Sequence, residues 1–227
     1  MKVLQGIKAV VFDFDYTLAN SAPGVITCVN FALSKMGLST APEEAICKTI
    51  GTSLSATYET LTGDMRRDRS TVFAGLFVSH AEEIMVPNTV LFDTVKPVVA
   101  DLKGRGLRLG IVSTKYRYRI EKILSRDGLD NCFDVIVGGE DVTEHKPDPA
   151  GLLYALRHLE CTPGDALYVG DTLVDAETAK RAHVAFVAVL SGVTPREAFK
   201  SYEIHSVVEN LLQLPDCPAI RACLKLP

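Results

Sequence analysis

Hydrophobic positions follow the helical period of three to four residues in the first part of the chain. Later in the chain, segments with this helical period alternate with short apolar runs typical of strands. Between residues 20 and 87, apolar residues recur every three or four positions, as at Val25, Val29 and Leu33, which is typical of amphipathic helices. No convincing alternating strand pattern occurs in that block. Beyond it, short apolar runs alternate with helical periodicity. The pattern therefore predicts a helical segment followed by repeated helix and strand units.

Five apolar runs have the length and β-branched content of buried strands. They lie at residues 9–12, 107–112, 133–137, 166–169 and 185–190. Helical segments between successive strands require parallel pairing through right-handed crossovers. We therefore predict an α/β fold, a doubly wound Rossmann-like parallel sheet, with a small α-helical domain inserted directly after the first strand.

The predicted boundaries give a core domain of residues 1–18 plus 93–227 and a helical domain of residues 19–92. Within the helical domain, residues 40–43 have the spacing of a capping box with Pro42 at the first helical position. This spacing predicts a short helix that begins at that proline and ends near Gly51.

Composition narrows the possible functions. The net charge of -4 argues against a nucleic-acid-binding protein that relies on a broad basic surface, and no apolar run approaches membrane-spanning length. The first residues lack the apolar stretch of a secretory signal. The cysteines are scattered without a C-x-x-C pair, which favours thiols over disulfides or zinc ligands; they are Cys28, Cys47, Cys132, Cys161, Cys217 and Cys223. We expect a cytoplasmic protein.

Two aspartates, Asp13 and Asp15, follow the first strand. Carboxylates two residues apart at the end of a strand point to the same side and repel each other unless a cation or a shared proton relieves them. The pair therefore indicates chemistry, although a strand followed by a solvated acidic turn would give the same pattern.

Other polar residues fall at the same edge of the predicted sheet, because the carboxyl ends of parallel strands form one crevice. Ser113 and Thr114 follow the second strand, and Asp171 follows the fourth, with Asp175 one helical turn later. A loop after the third strand contributes Lys146. The ends of three strands and one loop thus bring carboxylates, hydroxyls and a lysine to one edge of the predicted sheet.

These residues resemble the four motifs of the haloacid dehalogenase superfamily, and within it the phosphatases similar to phosphoglycolate phosphatase, which carry a helical cap after the first motif. The matching segments are D-F-D-Y-T-L at residues 13–18, Ser113, Lys146 in K-P-D-P, and G-D-T-L-V-D at residues 170–175. The resemblance covers nearly the whole chain and makes residues 19–92 the expected cap domain.

The resemblance implies that Asp13 is the nucleophile, giving an aspartyl-phosphate intermediate, and that Asp15 is the acid and then the base. It also implies Mg²⁺ held by Asp13, Asp171 and the main-chain carbonyl of Asp15. Lys146 would balance negative charge and contact the phosphate.

The same resemblance assigns phosphate binding to Ser113 and the backbone N–H of Thr114. Thr17 would fix the first loop, and Asp175 would act through metal-bound water or by orienting its neighbours. Duller roles remain open: Thr17 and Ser113 as turn caps, and Asp175 as an acid that interacts with the dipole of its own helix. Lys146 could also be an exposed loop lysine. Lys115 either supports the second motif or lies on the surface.

Two positions depart from the family pattern. Tyr16 stands where the first motif usually has glycine, which leaves the local backbone conformation in question, and Thr114 stands where many relatives carry asparagine. In the cap, Gly51, Thr52 and Ser53 are the residues expected to reach the substrate.

The resulting prediction is a Mg²⁺-dependent phosphatase acting on a small phosphorylated metabolite such as phosphoglycolate, with no nucleic-acid or membrane partner, as a monomer or weak homodimer. Inorganic pyrophosphatase activity is the alternative, followed by a phosphomutase similar to β-phosphoglucomutase. A dehalogenase typically lacks the second aspartate of motif one, here Asp15. A non-catalytic binding protein would be expected to have lost one of the motif residues, and all are present.

Overall fold

The structure is a computed structural model that describes residues 6–221, with only the backbone of Ala219. The ends of the predicted core domain, residues 1–5 and 222–227, lie outside the described residues, and Cys223 is among them. The strands are β1 Ala9–Phe12, β2 Ala19–Asn20, β3 Val90–Leu91, β4 Arg108–Val112, β5 Val135–Val137, β6 Ala166–Gly170, β7 Ala185–Val189 and β8 Ser206–Val208.

The helices divide into one group before β3 and one group after it. The first group is α1 Ala22–Lys35, α2 Glu43–Cys47, α3 Leu54–Thr62 and α4 Arg67–Ile84. The second is α5 Val95–Gly104, α6 Arg117–Arg126, α7 Ala150–His158, α8 Leu173–Ala182 and α9 Pro218–Arg221. Short 3-10 helices span Gly139–Asp141, Pro163–Asp165, Arg196–Ser201 and Leu211–Asp216.

Strand β1 lies inside a six-stranded sheet of order β5-β4-β1-β6-β7-β8 among residues 6–221. Every neighbouring pair in this sheet is parallel, and Val11 of β1 stands between Gly110 and Tyr168. This order confirms the predicted α/β, doubly wound Rossmann-like fold. Strand β8 was not predicted, and the five predicted strands differ from the observed ones by a few residues at their ends.

Both faces of the sheet are covered, which explains why β1 is apolar at every position. Successive strand residues point to opposite faces. Val10 and Phe12 accordingly pack in one buried cluster, whereas Ala9 and Val11 pack in another. Because β1 is central and buried on both sides, whatever follows it lies at the middle of the sheet's carboxyl edge.

Helices α1 to α4 pack around a third buried cluster, separate from the two on the sheet, that includes Val29, Tyr58, Phe73 and Phe77. This helical layer is inserted between β1 and α5, as predicted. The residue boundaries of the two domains remain a prediction. No helix within residues 6–221 combines the length and apolarity needed to cross a membrane.

A two-stranded antiparallel ribbon joins the helical layer to the sheet. Ala19 of β2 pairs with Leu91 of β3, and Phe92 N–H donates to the Leu18 carbonyl at 3.0 Å. The chain therefore enters the helical layer through β2 and leaves it through β3, so any hinge motion of the layer would involve this ribbon. Strands of two residues produce no readable period in a sequence, so hydrophobic patterning did not predict them.

The predicted capping box at residues 40–43 is wrong. Pro42 is extended and precedes the helix, which starts at Glu43 without a side-chain cap. Asn30 of α1 explains the shift, because its side-chain oxygen accepts from Ala41 N–H at 2.9 Å and its amide donates to the Ala41 carbonyl at 3.3 Å. These bonds fix the chain just before Pro42.

The buried cluster of the helical layer should carry much of that layer's stability. Phe73 is fully buried, and Val72 beside it on α4 is 54% exposed. We predict that Phe73→Ala lowers the free energy of unfolding by about 3–5 kcal/mol, because it leaves a cavity. Val72→Ala should change it by less than about 0.5 kcal/mol. Urea denaturation followed by circular dichroism measures both values, and equal effects would contradict the packing described.

Candidate active site

The carboxyl edge of the sheet collects the side chains predicted from the motifs. Asp13 and Asp15 leave β1, Ser113 follows β4, and Asp171 follows β6. Each of the four is at most 6% exposed. Asp13 N–H also donates to the Val169 carbonyl at 2.9 Å, which ties the end of β1 to the end of β6. The solvated acidic turn is therefore excluded, because both aspartates are buried.

Lys146 lies inside this edge and not on an exposed loop. Its Nζ is 2.8 Å from Asp13 Oδ1 and 2.6 Å from Asp175 Oδ1. Although burial opposes its charge, the carboxylates of Asp13 and Asp175 hold the pKa of Lys146 well above its usual range. The result is a permanent cation next to Asp13.

Asp175 combines two of the roles considered for it. Its Oδ2 accepts from the N–H and hydroxyl of Thr172, forming a capping box for α8. Its Oδ1 accepts from Lys146 and, at 3.0 Å, from the hydroxyl of Tyr168. The hydrogen bonds of Asp175 thus stabilise the start of α8 and hold the side chains of Lys146 and Tyr168. Tyr168 was not singled out from the sequence, where its only signal is a hydroxyl inside a fully buried strand.

Asp171 and Asp13 each keep a carboxylate oxygen without a donor. Asp171 Oδ1 accepts from Thr17 Oγ1 at 3.0 Å, so Thr17 ties the first loop to β6. Asp171 Oδ2 and Asp13 Oδ2 are buried and accept no hydrogen bond within residues 6–221. Buried anionic oxygens without donors are costly unless a cation compensates them.

The pKa values of Asp13 and Asp171 are both raised, as expected for buried carboxyl groups with too little positive charge around them. Burial raises the pKa of Asp13 to about 7, with Asp175 and Asp15 adding repulsion and Lys146 opposing the rise. Burial, Asp175 and Asp13 together hold the pKa of Asp171 well above its usual range. A bound cation would reverse both shifts, because it favours the ionised carboxylates.

Asp13, Asp171 and Asp175 offer oxygens within 4.8 Å of one another and could hold a metal ion. The donor set is all oxygen, as Mg²⁺ requires. Asp175 is the least available of the three, because its oxygens already accept hydrogen bonds from Lys146, Tyr168 and Thr172. Asp13 and Asp171, with their unpaired oxygens, fit the ligand role best.

Lys115 lies in the site, although its place in the sequence was also compatible with a surface position. It is 7% exposed, and its Nζ lies 3.0 Å from Asp15 Oδ1. The surface role for Lys115 is therefore excluded. Its N–H also donates to Ser113 Oγ at 3.3 Å, so Ser113 does stabilise its own turn, with its hydroxyl at the edge of the site. The ion pair between Lys115 and Asp15 forms because β1 and β4 are neighbours in the sheet, which the sequence alone does not show.

Tyr16 takes the backbone conformation that the usual glycine would favour. Its φ is 59°, in the left-handed region, where a side chain costs about 1–2 kcal/mol. Tyr16 N–H donates to the Ala19 carbonyl, and Ser191 Oγ donates to the Tyr16 carbonyl at 2.6 Å, which holds the turn. Burial and a hydrogen bond with Cys47 of α2 raise the pKa of the Tyr16 hydroxyl, so this side chain links the first motif to the helical layer.

A cavity of about 320 Å³ lies between the helical layer and the sheet. The cap residues predicted to reach substrate, Gly51, Thr52 and Ser53, line it, and Asp15 and Thr114 line it from the other side. Several apolar side chains complete its wall, among them Val29, Phe77 and Met85. The cavity thus adjoins Asp15 and not the donor-free oxygens of Asp13 and Asp171, which lie deeper.

Comparison with known proteins gives consistent matches over nearly the whole chain. The family profile described as Haloacid dehalogenase-like hydrolase matches residues 10–189. A phosphoglycolate phosphatase from Colwellia psychrerythraea is 30% identical, covering 88% of this chain and 91% of its own. Another, from Salmonella paratyphi A, is 31% identical over 94% of this chain and 93% of its own.

Solved structures agree with the sequence matches. A protein described as a haloacid dehalogenase-like hydrolase from Bacteroides fragilis superposes with a TM-score of 0.89 at 42% identity, covering 92% of this chain and 99% of its own. These matches confirm the resemblance inferred from the four motifs.

Gly192 packs against the free oxygen of Asp171, and a Cβ at this position would lie 2.0 Å from Asp171 Oδ2. We predict that Gly192→Ala displaces this carboxylate and weakens metal binding by about 10–100-fold. Mn²⁺ serves as a spectroscopic substitute for Mg²⁺ in this test. Electron paramagnetic resonance of free Mn²⁺ measures the affinity.

Gly75→Ala is the matched control for this prediction, because a Cβ on Gly75 of α4 would meet no atom within 4 Å. It should leave Mn²⁺ affinity unchanged. If Gly192→Ala also binds Mn²⁺ like the wild type, the assignment of Asp171 Oδ2 to the metal is wrong.

Proposed function

The chain belongs to the haloacid dehalogenase-like hydrolase family, and we propose that it hydrolyses a small phosphate monoester, with phosphoglycolate as the leading candidate substrate. The named relatives are phosphatases, which supports a phosphoric monoester hydrolase. The proposal rests on the position of Lys146 beside Asp13, next to carboxylate oxygens that have no hydrogen-bond donor within residues 6–221.

Asp13 is the proposed nucleophile. A phosphate monoester is already anionic, so an attacking carboxylate must be held in line while its charge is balanced. The Lys146 ammonium, 2.8 Å from Asp13 Oδ1, supplies fixed positive charge for that purpose. Attack by Asp13 forms the bond from its oxygen to phosphorus as the bond from phosphorus to the leaving oxygen breaks, giving an aspartyl phosphate.

Asp15 is the proposed acid and base. It gives its proton to the leaving oxygen in the first step. In the second step it takes a proton from the water that attacks phosphorus, while the bond from the Asp13 oxygen to phosphorus breaks and phosphate leaves. Its position fits this role, because Asp15 lines the cavity where a leaving group would lie. Lys115 holds the Asp15 carboxylate through the ion pair at 3.0 Å, and Ser113 and Thr114 would bind phosphoryl oxygens.

Mg²⁺ is the proposed cofactor, held by Asp13, Asp171 and the main-chain carbonyl of Asp15. When bound, it supplies positive charge that offsets the phosphoryl oxygens and the carboxylates. Asp175 acts in this proposal by orienting Lys146, and Thr17 by orienting Asp171 through their hydrogen bonds.

The cavity offers both apolar and polar surface to a leaving group. Val29, Phe77 and Met85 line part of its wall, and Thr49, Thr52 and Lys115 line another part. Inorganic pyrophosphate therefore remains the alternative substrate to phosphoglycolate. The cap residues Gly51, Thr52 and Ser53 remain the proposed specificity segment, although the Ser53 hydroxyl already caps α3 by accepting from Ala56 N–H at 3.2 Å.

The proposal extends to organisation and location. Residues 1–18 plus 93–227 would form the catalytic domain, and residues 19–92 the cap, which moves on the ribbon of β2 and β3 to admit substrate. A cytoplasmic location is supported by Cys28, Cys47, Cys132 and Cys161, which are free thiols. The partner would be a small phosphorylated metabolite, with the protein a monomer or weak homodimer.

Phosphate release from phosphoglycolate in the presence of Mg²⁺ tests the proposed function. We expect turnover that stops on addition of a chelator, and a loss on the order of 10³-fold or more in Asp13→Asn, because the amide cannot form the covalent intermediate. The control is Asp130→Asn, which removes the same charge at an exposed position and should retain full activity.

Circular dichroism should show that Asp13→Asn keeps the fold. Near-normal turnover in this variant would rule out Asp13 as the nucleophile. Absence of turnover by the wild type on phosphoglycolate, pyrophosphate, sugar phosphates and nucleotides would refute the phosphatase assignment.

A further inference from the structure

Arg119 brings a buried positive charge to the cavity from the core side. It lies on α6, is 4% exposed, and lines the cavity together with Tyr116 and Lys115. The cap segment around Gly51 offers no such cation, because residues 49–55 contain no lysine or arginine. The structure supplies it from a helix that follows the second motif.

The guanidinium of Arg119 uses only part of its hydrogen-bonding capacity. Its Nη2 donates to the Val78 carbonyl at 3.1 Å and to Glu82 Oε1 at 2.6 Å, both on α4 of the helical layer. Its Nε is buried and has no hydrogen-bond partner within residues 6–221. A buried guanidinium donor without an acceptor is unfavourable, so an acceptor supplied by a ligand would stabilise this N–H.

The charges around the cavity also favour an anion. Lys115 pairs with Asp15 at 3.0 Å, and both side chains line the cavity. The carboxylate partner of Arg119 is Glu82, at 2.6 Å, whose side chain is 47% exposed and does not line the cavity. Among the residues that the structure describes, two cations, Lys115 and Arg119, therefore line the cavity beside one carboxylate, Asp15.

The rings beside Arg119 limit how its guanidinium can move. The guanidinium carbon lies 5.0 Å from the ring centre of Tyr116 and 5.3 Å from that of Tyr118. The Tyr118 hydroxyl also donates to Glu82, the carboxylate that binds Arg119 Nη2. Stacking and the shared carboxylate hold the guanidinium plane in place, which suits directional recognition of a carboxylate or phosphate.

We propose that Arg119 is a specificity-determining residue that binds an anionic group, a carboxylate or a second phosphate, carried by the leaving group of the substrate. The inference rests on the proposed phosphatase function and narrows its substrate class. Because Nη2 binds α4 while Nε has no acceptor within residues 6–221, one guanidinium would contact the helical layer and the substrate together. Substrates with an anionic leaving group would then be the ones that the closed cavity accepts.

The test compares substrates that differ in the charge of the leaving group. Phosphoglycolate carries a carboxylate, 2-hydroxyethyl phosphate has a neutral hydroxyl in its place, and pyrophosphate presents a second phosphate. With Mg²⁺, we expect Arg119→Met to lower kcat/KM for phosphoglycolate by about 100-fold, the size of effect expected when a desolvated charge pair is lost. The value for 2-hydroxyethyl phosphate should fall by less than about fivefold.

Glu82→Gln separates substrate binding from cap docking. It weakens the contact between α6 and α4 but keeps the Arg119 charge, so it should change kcat/KM for phosphoglycolate and 2-hydroxyethyl phosphate by the same factor. If Arg119→Met does not fold, Arg119→Gln removes the charge while keeping a polar side chain and gives the same comparison.

The outcomes distinguish the two proposals. A loss confined to pyrophosphate supports recognition of a second phosphate, and a loss confined to phosphoglycolate supports recognition of a carboxylate. Equal losses on anionic and neutral substrates would overturn the role of Arg119 while leaving the phosphatase assignment intact. No release from any of the three by the wild type would overturn both.

Discussion

The ion pairs that Lys146 forms with Asp13 and Asp175 are the interaction on which the site depends. Three aspartates, Asp13, Asp171 and Asp175, converge where β1 and β6 end, and such carboxylates repel each other in a buried setting. Lys146 relieves two of them, and the capping box of α8 fixes the Asp175 carboxylate that orients Lys146. The remaining excess of negative charge is what a metal ion would neutralise.

The second constraint is the contact between the helical layer and the sheet. Tyr16, in the first motif, reaches Cys47 of α2, and Arg119 of α6 reaches Val78 and Glu82 of α4. Arg119 and Val78 both line the cavity next to Asp15. In the proposed reaction, the helical layer held by these contacts keeps bulk water from the first step.

Periodicity was sufficient to predict the parallel sheet and the inserted helices, because buried strands and amphipathic helices leave strong patterns. It could not predict β2 and β3, which are too short, or the start of α2, which depends on hydrogen bonds from Asn30 of the preceding helix. In the site, the predicted strand ends and motifs placed Asp13, Lys146 and Asp171 at one edge of the sheet, where the structure also has them. The partners of Lys115 and Arg119 depend on tertiary packing, and a sequence alone does not distinguish them from surface cations.

We expect the buried carboxylates of Asp13 and Asp171 to form a site for one divalent cation. Calorimetric titration of Mg²⁺ into the protein measures this binding. We predict one binding site in the wild type and a loss of affinity on the order of 10-fold or more in Asp171→Asn, since the amide withdraws a charged ligand. An absence of Mg²⁺ binding, or equal binding by Asp171→Asn, would contradict it.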